Sequence, residues 1–177
     1  MSKENLYESI VDFIKEEQIK LGYAKESVRL YYPKSSILSL LNVDDKDLDD
    51  EIKTFIKNAS NTLGNIEISV KNDRYCIIVP CQGAEYVHSL DKDTFLEDFI
   101  HAISLHNCRK SDLEQVFKKY SKDYVVEDVQ IEDFDYCMYF IDETVNKYIY
   151  CIKDEGVHLT YHRFTREDYK ELNYFSV

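Results

Sequence analysis

The sequence predicts an α+β protein whose first half is winged-helix-like and whose second half joins two helices to an antiparallel β-meander and a C-terminal helix. Two observations carry this prediction. Apolar residues recur at helical spacing in some segments and alternate at strand spacing in others, and the two kinds are mixed along the chain. The punctuating residues are few, with 4 Gly and 2 Pro in 177 residues, and most fall where the periodicity changes.

In the first helix Leu6, Ile10, Phe13, Ile14 and Leu21 share one side, Glu and Lys fill the other, and Gly22 stops it. The β-prone run from Ser27 to Tyr32, ended by Pro33, reads as a short strand. Ser35 or Ser36 then caps a brief helix through Ile37, Leu38, Leu40 and Leu41. Past an acidic loop at Asp44 and Asp45, Leu48, Ile52, Phe55, Ile56, Ala59 and Leu63 line one side of a longer helix closed by Gly64. Its other side shows Asp50, Lys53, Thr54, Lys57 and Asn61. Ile66, Ile68 and Val70 alternate, as do Tyr75, Ile77 and Val79, around an Asn72-Asp73 turn, which makes a β-hairpin with Lys71 and Arg74 at its tip. This α-β-α-α-β-β order is the basis of the winged-helix likeness.

Between Cys81 and Leu90 no period is evident, so the boundary is placed there, giving a winged-helix-like domain over 1–81 and an α+β domain over 82–177. In the second, Asp91 or Asp93 caps a helix carrying Phe95, Leu96, Phe99, Ile100 and Ile103. Ser111-x-x-Glu114 reads as the capping box of another, with Leu113, Val116, Phe117 and Tyr120. Strands are expected over Tyr124–Val129, Asp135–Ile141, Lys147–Lys153 and Val157–Arg163, with a turn at Asp154-Glu155-Gly156. Thr165 caps a final helix with Tyr169 and Leu172.

Composition bounds the function. A 44% hydrophobic chain rich in Tyr and Phe can bury a core and is not of disordered type. No stretch approaches the ~20 apolar residues of a membrane span, so no membrane role and a cytoplasmic location are expected. Five cysteines, an odd number without a CxxC pair, read as reduced and mostly buried. The net charge of −12 repels phosphate backbones. Residues 1–81 carry 11 Lys and Arg against 14 Asp and Glu, and residues 82–177 carry 11 against 20, so a polyanion site belongs in the first half.

The phrases IKEEQIKLGY at Ile14–Tyr23, RLYYP at Arg29–Pro33, EYVHSL at Glu85–Leu90 and KDEGVHLTYHRFTREDY at Lys153–Tyr169 resemble an uncharacterised family of Firmicute bacterial proteins, a domain of unknown function spanning essentially the whole chain. The resemblance implies a bacterial source and brings no activity or site residues.

The chain has no GxGxxG, GxxxxGK[ST], GxSxG or HExxH motif and no EF-hand loop, and no cofactor is expected. His158 and His162 lie four apart on an expected strand and share a face, where two imidazoles can hold a metal or move protons; no third ligand is visible in the sequence, the candidates being Glu155 or a distant His88, His101 or His106. The plainer account, preferred here, is a pair of half-exposed histidines bonded to carboxylates. His101 and His106 fall on different helix faces and are set aside with Cys108 as a zinc site, while Cys81 with His88 stays open as a nucleophile and base but ranks low, because sequence gives no geometry and buried thiols are usually inert.

For DNA, Lys53, Thr54, Lys57 and Asn61 suit a reading helix, and Lys71 and Arg74 suit a wing. Against this, Asp44, Asp45, Asp47, Asp49, Asp50 and Glu51 crowd the start of that helix and repel phosphate. The preferred reading is therefore a non-catalytic protein-interaction or regulatory module with a protein partner. Its alternatives are a winged-helix DNA-binding regulator, disfavoured by charge, and a small enzyme or metal site at His158 and His162. The tyrosines Tyr136, Tyr139, Tyr148, Tyr150 and Tyr161 are read as covering a small sheet rather than as a recognition surface.

Overall fold

The computed structural model describes residues 5–129 and 131–175. The fold is α+β, and the chain divides into two compact units, Met1–Lys92 and Asp93–Val177.

The first unit opens with α1 (Leu6–Leu21). Asn5 and Glu8 form a reciprocal cap at its start, and Gly22 at φ +78° returns its N–H to the Gln18 carbonyl at its end. There follow β1 (Val28–Pro33), α2 (Lys34–Leu41), a 3-10 turn over Asp45–Asp47, α3 (Leu48–Leu63), β2 (Glu67–Lys71), β3 (Arg74–Val79) and α4 (Cys81–Ser89). The strands form an antiparallel sheet in the order β1-β3-β2. Asn72 and Asp73, both at positive φ, make the two-residue turn that joins β2 to β3. Period-2 alternation sends Val28, Tyr32, Tyr75, Ile77 and Val79 inward, where they meet Leu6, Ile10 and Ile14 of α1 and Leu48, Ala59 and Leu63 of α3 in one apolar core.

Two local expectations change here. Pro33, not a serine, occupies the N-cap position of α2, and no side chain caps that helix; the Lys34 N–H instead donates to the Asp73 carbonyl across the hairpin tip. The segment read as aperiodic, 81–90, is helical as α4, because its buried side consists only of Gly83, Ala84 and Val87, too small a set to show as a pattern. A Cβ on Gly83 would strike the Val79 side chain and come within 2.6 Å of the Leu63 carbonyl oxygen, so glycine is what lets α4 close onto β3 and the end of α3. The Gln18 side-chain amide donates to the Ala84 carbonyl and ties α4 to α1.

The second unit contains α5 (Thr94–Ile103), α6 (Lys110–Tyr120), β4 (Tyr124–Asp128), β5 (Tyr136–Phe140), β6 (Ile149–Asp154), β7 (Leu159–Phe164) and α7 (Arg166–Phe175). The strands make an antiparallel meander in chain order. Asp93 caps α5 through the Leu96 N–H. α6 starts two residues earlier than the Ser111 capping box predicts: Arg109 is its N-cap and the Asp112 carboxylate accepts from the Arg109 N–H, so the contact expected of Glu114 is made two residues earlier by a shorter acid. One face of the sheet meets α5 and α6 through rings, with Phe95 within 5.0 Å of both Phe117 and Phe140, Phe117 stacked on Phe140, and Tyr150 against Phe99. The opposite face holds Cys137, Ile149 and Cys151 with Tyr169 of α7. Of the five tyrosines read as covering the sheet, Tyr136, Tyr148 and Tyr150 are buried and Tyr139 and Tyr161 are half-buried.

Candidate functional site

In an antiparallel ladder, residues paired directly across strands point to the same side. The register Arg29↔Ile78, Tyr31↔Cys76 and Pro33↔Arg74, continued by Glu67↔Ile78, Ser69↔Cys76 and Lys71↔Arg74, defines the outward face of the first sheet. Three rows cross it: Arg29, Ile78, Glu67; Tyr31, Cys76, Ser69; and Pro33, Arg74, Lys71. Only Ile78 and Cys76, on the central strand, are half-buried, and the rest are exposed. Tyr31, at 55% exposure, is a large ring left in solvent on a sheet face. The Arg74 guanidinium lies 5.7 Å from its centroid. Arg29, Lys71 and Arg74 face Glu67 alone among these positions, so this surface is cationic on an acidic chain.

The helix face expected to read DNA is also solvent-facing: Lys53, Thr54, Lys57 and Asn61 are all exposed. Its cations are partly neutralised. The Lys53 ammonium lies 3.5 Å from Asp50 on the same helix, and the Thr54 hydroxyl donates to the Asp50 carbonyl. At the hairpin end, Lys34 pairs with Asp45 at 2.6 Å, a contact that holds the lysine pKa above its usual value. Asp49, Asp50 and Glu51 fill the first turn of α3, where they complement the helix dipole.

His158 and His162 part company in the structure. His162 lies in β7 opposite Cys151, with its ring 4.4 Å from that of Phe164. His158 precedes the strand and sits in the hairpin turn, where its carbonyl accepts from the Glu155 N–H. Both imidazoles and Glu155 are exposed. Among the described residues no group of three or more His, Cys, Asp or Glu side chains is placed to hold a metal.

The cysteines are free thiols. Cys137 and Cys151 face each other across β5 and β6. Burial pushes Cys137 up to about 11 and Cys151 up to about 12, away from thiolate chemistry. Cys81 is exposed, yet its hydrogen bond to the Glu85 carboxylate raises its pKa too, which opposes nucleophile activation.

Comparison with known proteins places the chain. Residues 3–173 match the family model described as a domain of unknown function, E. rectale gene description, DUF3877. The chain belongs to the DUF3877 family. No curated protein and no solved structure matches it significantly. The outward sheet face of this DUF3877 chain is half legible in the sequence. Lys71 and Arg74 follow from the hairpin tip, whereas Arg29 and Tyr31 do not, since a residue on β1 joins them only through the β1-β3 register. The signal that could have found them is the polar alternation Arg29, Tyr31 opposite the buried Val28 and Tyr32. No helix of the described DUF3877 residues is long and apolar enough to cross a membrane.

Proposed function

We propose that this DUF3877 protein is a non-catalytic interaction module that docks a protein partner on the outward face of its N-terminal sheet. The observation that carries the reading is the grouping of Arg29, Tyr31, Lys71 and Arg74 on one uncovered face of a winged-helix-like unit, with the ring of Tyr31 beside the Arg74 guanidinium. Tyr and Arg are the side chains that dominate binding energy at protein interfaces, because each joins large contact area to directed polar groups. The test compares proteins captured from a lysate of the source cells by the wild-type chain and by Tyr31→Ala with Arg74→Glu. A partner retained by the first and lost by the second supports the reading; identical captures overturn it.

A second reading, a DNA-binding regulator, draws on the helix and hairpin order and on exposed Lys57, Asn61, Lys71 and Arg74. Fluorescence anisotropy with duplex DNA at low salt tests it, and no binding dismisses it.

A further inference from the structure

The sheet order β1-β3-β2 leaves β2 at an edge, paired only to β3. Edge strands present unpaired N–H and C=O groups and are templates for another strand. Among the described residues, no further backbone or side-chain hydrogen bond involves Glu67, Ile68, Ser69, Val70 or Lys71 beyond the ladder to β3. The strand has no proline, and apart from Ile68 all its residues are exposed. Its two sides differ. Ser69 and Lys71, with Arg74 beside them, point to the outward, cationic face, while Val70 points the other way with 58% of its surface in water.

We propose that β2 is a docking edge for an extended, acidic peptide segment of the partner, which adds a fourth strand to the sheet. This deepens the interaction reading above and rests on it. Backbone hydrogen bonds along β2 supply affinity. Alternate side chains supply selectivity, because a strand sends successive side chains to opposite faces. Carboxylates on one side of the segment meet Lys71 and Arg74, and apolar side chains on the other cover Val70 and Ile68. Charge selects the class of partner: the strand end by the turn carries two cations on the outward face, Lys71 and Arg74, against the single carboxylate of Asp73 in the turn, and Glu67 lies at the far end of β2. A peptide is favoured over a nucleic acid because three cations on this face cannot offset the acidic run Asp44 to Glu51 along a phosphate backbone, whereas they match a short acidic stretch.

The experiment measures fluorescence anisotropy of the full chain with a labelled peptide of about six residues, the length of an ordinary strand, alternating Glu and Val. A matched peptide N-methylated at alternate residues cannot pair along an edge. Expected are saturable binding of the first, at least about tenfold weaker binding of the second, and a comparable loss on Lys71→Glu with recovery in Lys71→Arg. Circular dichroism confirms that the variants are folded. Absence of binding, equal binding of the N-methylated peptide, or displacement by single-stranded oligo(dT) at lower concentration than by unlabelled peptide overturns the proposal. If the peptide fails while Tyr31→Ala with Arg74→Glu still loses a captured partner, edge pairing is wrong and the interaction reading stands. If both fail, both fall.

Discussion

The guanidinium of Arg74, on the central strand of the N-terminal sheet, lies 5.7 Å from the centroid of the Tyr31 ring on the neighbouring strand. The two are diagonal neighbours, since Tyr31 pairs with Cys76 and Arg74 with Pro33, and diagonal positions are within reach of long and aromatic side chains. Both are exposed, so the contact organises a surface more than it stabilises the fold.

It follows that Tyr31→Ala and Arg74→Glu should change folding stability by less than about 0.5 kcal/mol each, the usual scale for surface substitutions. Urea unfolding checks this. A larger loss would mean that these side chains serve the fold and not a partner.

Gly83→Ala should be costly despite its small size. The added Cβ meets the Val79 side chain and the Leu63 backbone carbonyl, and a backbone oxygen does not move aside easily. Overpacking of this kind costs about 1–3 kcal/mol, to be read as a lower melting temperature of the first unit.

Phe95 touches Phe99, Phe117, Tyr120, Phe140 and Tyr150, which makes it the hub of the second unit's ring cluster. Phe95→Ala is expected to cost about 3–5 kcal/mol, since it removes a buried ring and leaves a space that its aromatic neighbours fill poorly. Denaturant titration with near-UV circular dichroism reports it.

Asp98 on α5 accepts from the Lys119 ammonium and the Tyr120 hydroxyl of α6. The bond to Lys119 first, and that to Tyr120 second, hold its pKa below the ordinary carboxylate value, outweighing a smaller opposing effect of desolvation. A carboxyl whose pKa is lower in the folded than in the unfolded state adds stability above its unfolded pKa, and loses it as pH falls through the folded one. The advantage of wild type over Asp98→Asn should therefore be full at pH 7 and shrink as the pH drops below about 4, the ordinary aspartate range. A difference that grows with acid would refute the assignment. The carboxylate is partly exposed, so the effect is small and weakened by salt.

At pH 8 a thiol reagent such as Ellman's should modify Cys81 first, because it alone among the cysteines is exposed. Cys137 and Cys151 should react only on unfolding, since burial keeps them protonated and covered.

Much of this architecture was legible in local pattern. The spacing of Leu6, Ile10 and Ile14, the stop at Gly22, the Asn72-Asp73 turn and the alternation of Tyr75, Ile77 and Val79 are short-range signals, set by backbone geometry and by which side chains must leave water. They sufficed for the order of helices and strands in both units, α4 excepted. Helix α4 escaped because its buried residues are small, and the start of α6 was displaced because the acid at Asp112 closes its cap from two residues earlier.

Which residues share a surface was decided only by tertiary structure. Arg29 and Tyr31 meet Arg74 and Lys71 because β3 is inserted between β1 and β2, a pairing of residues 41 to 51 positions apart that no local spacing encodes. The same long-range register set His162 opposite a buried cysteine while His158 was left in the turn. Periodicity along a chain reports which side of an element faces the core; only the pairing of distant strands says what stands beside it on the other side.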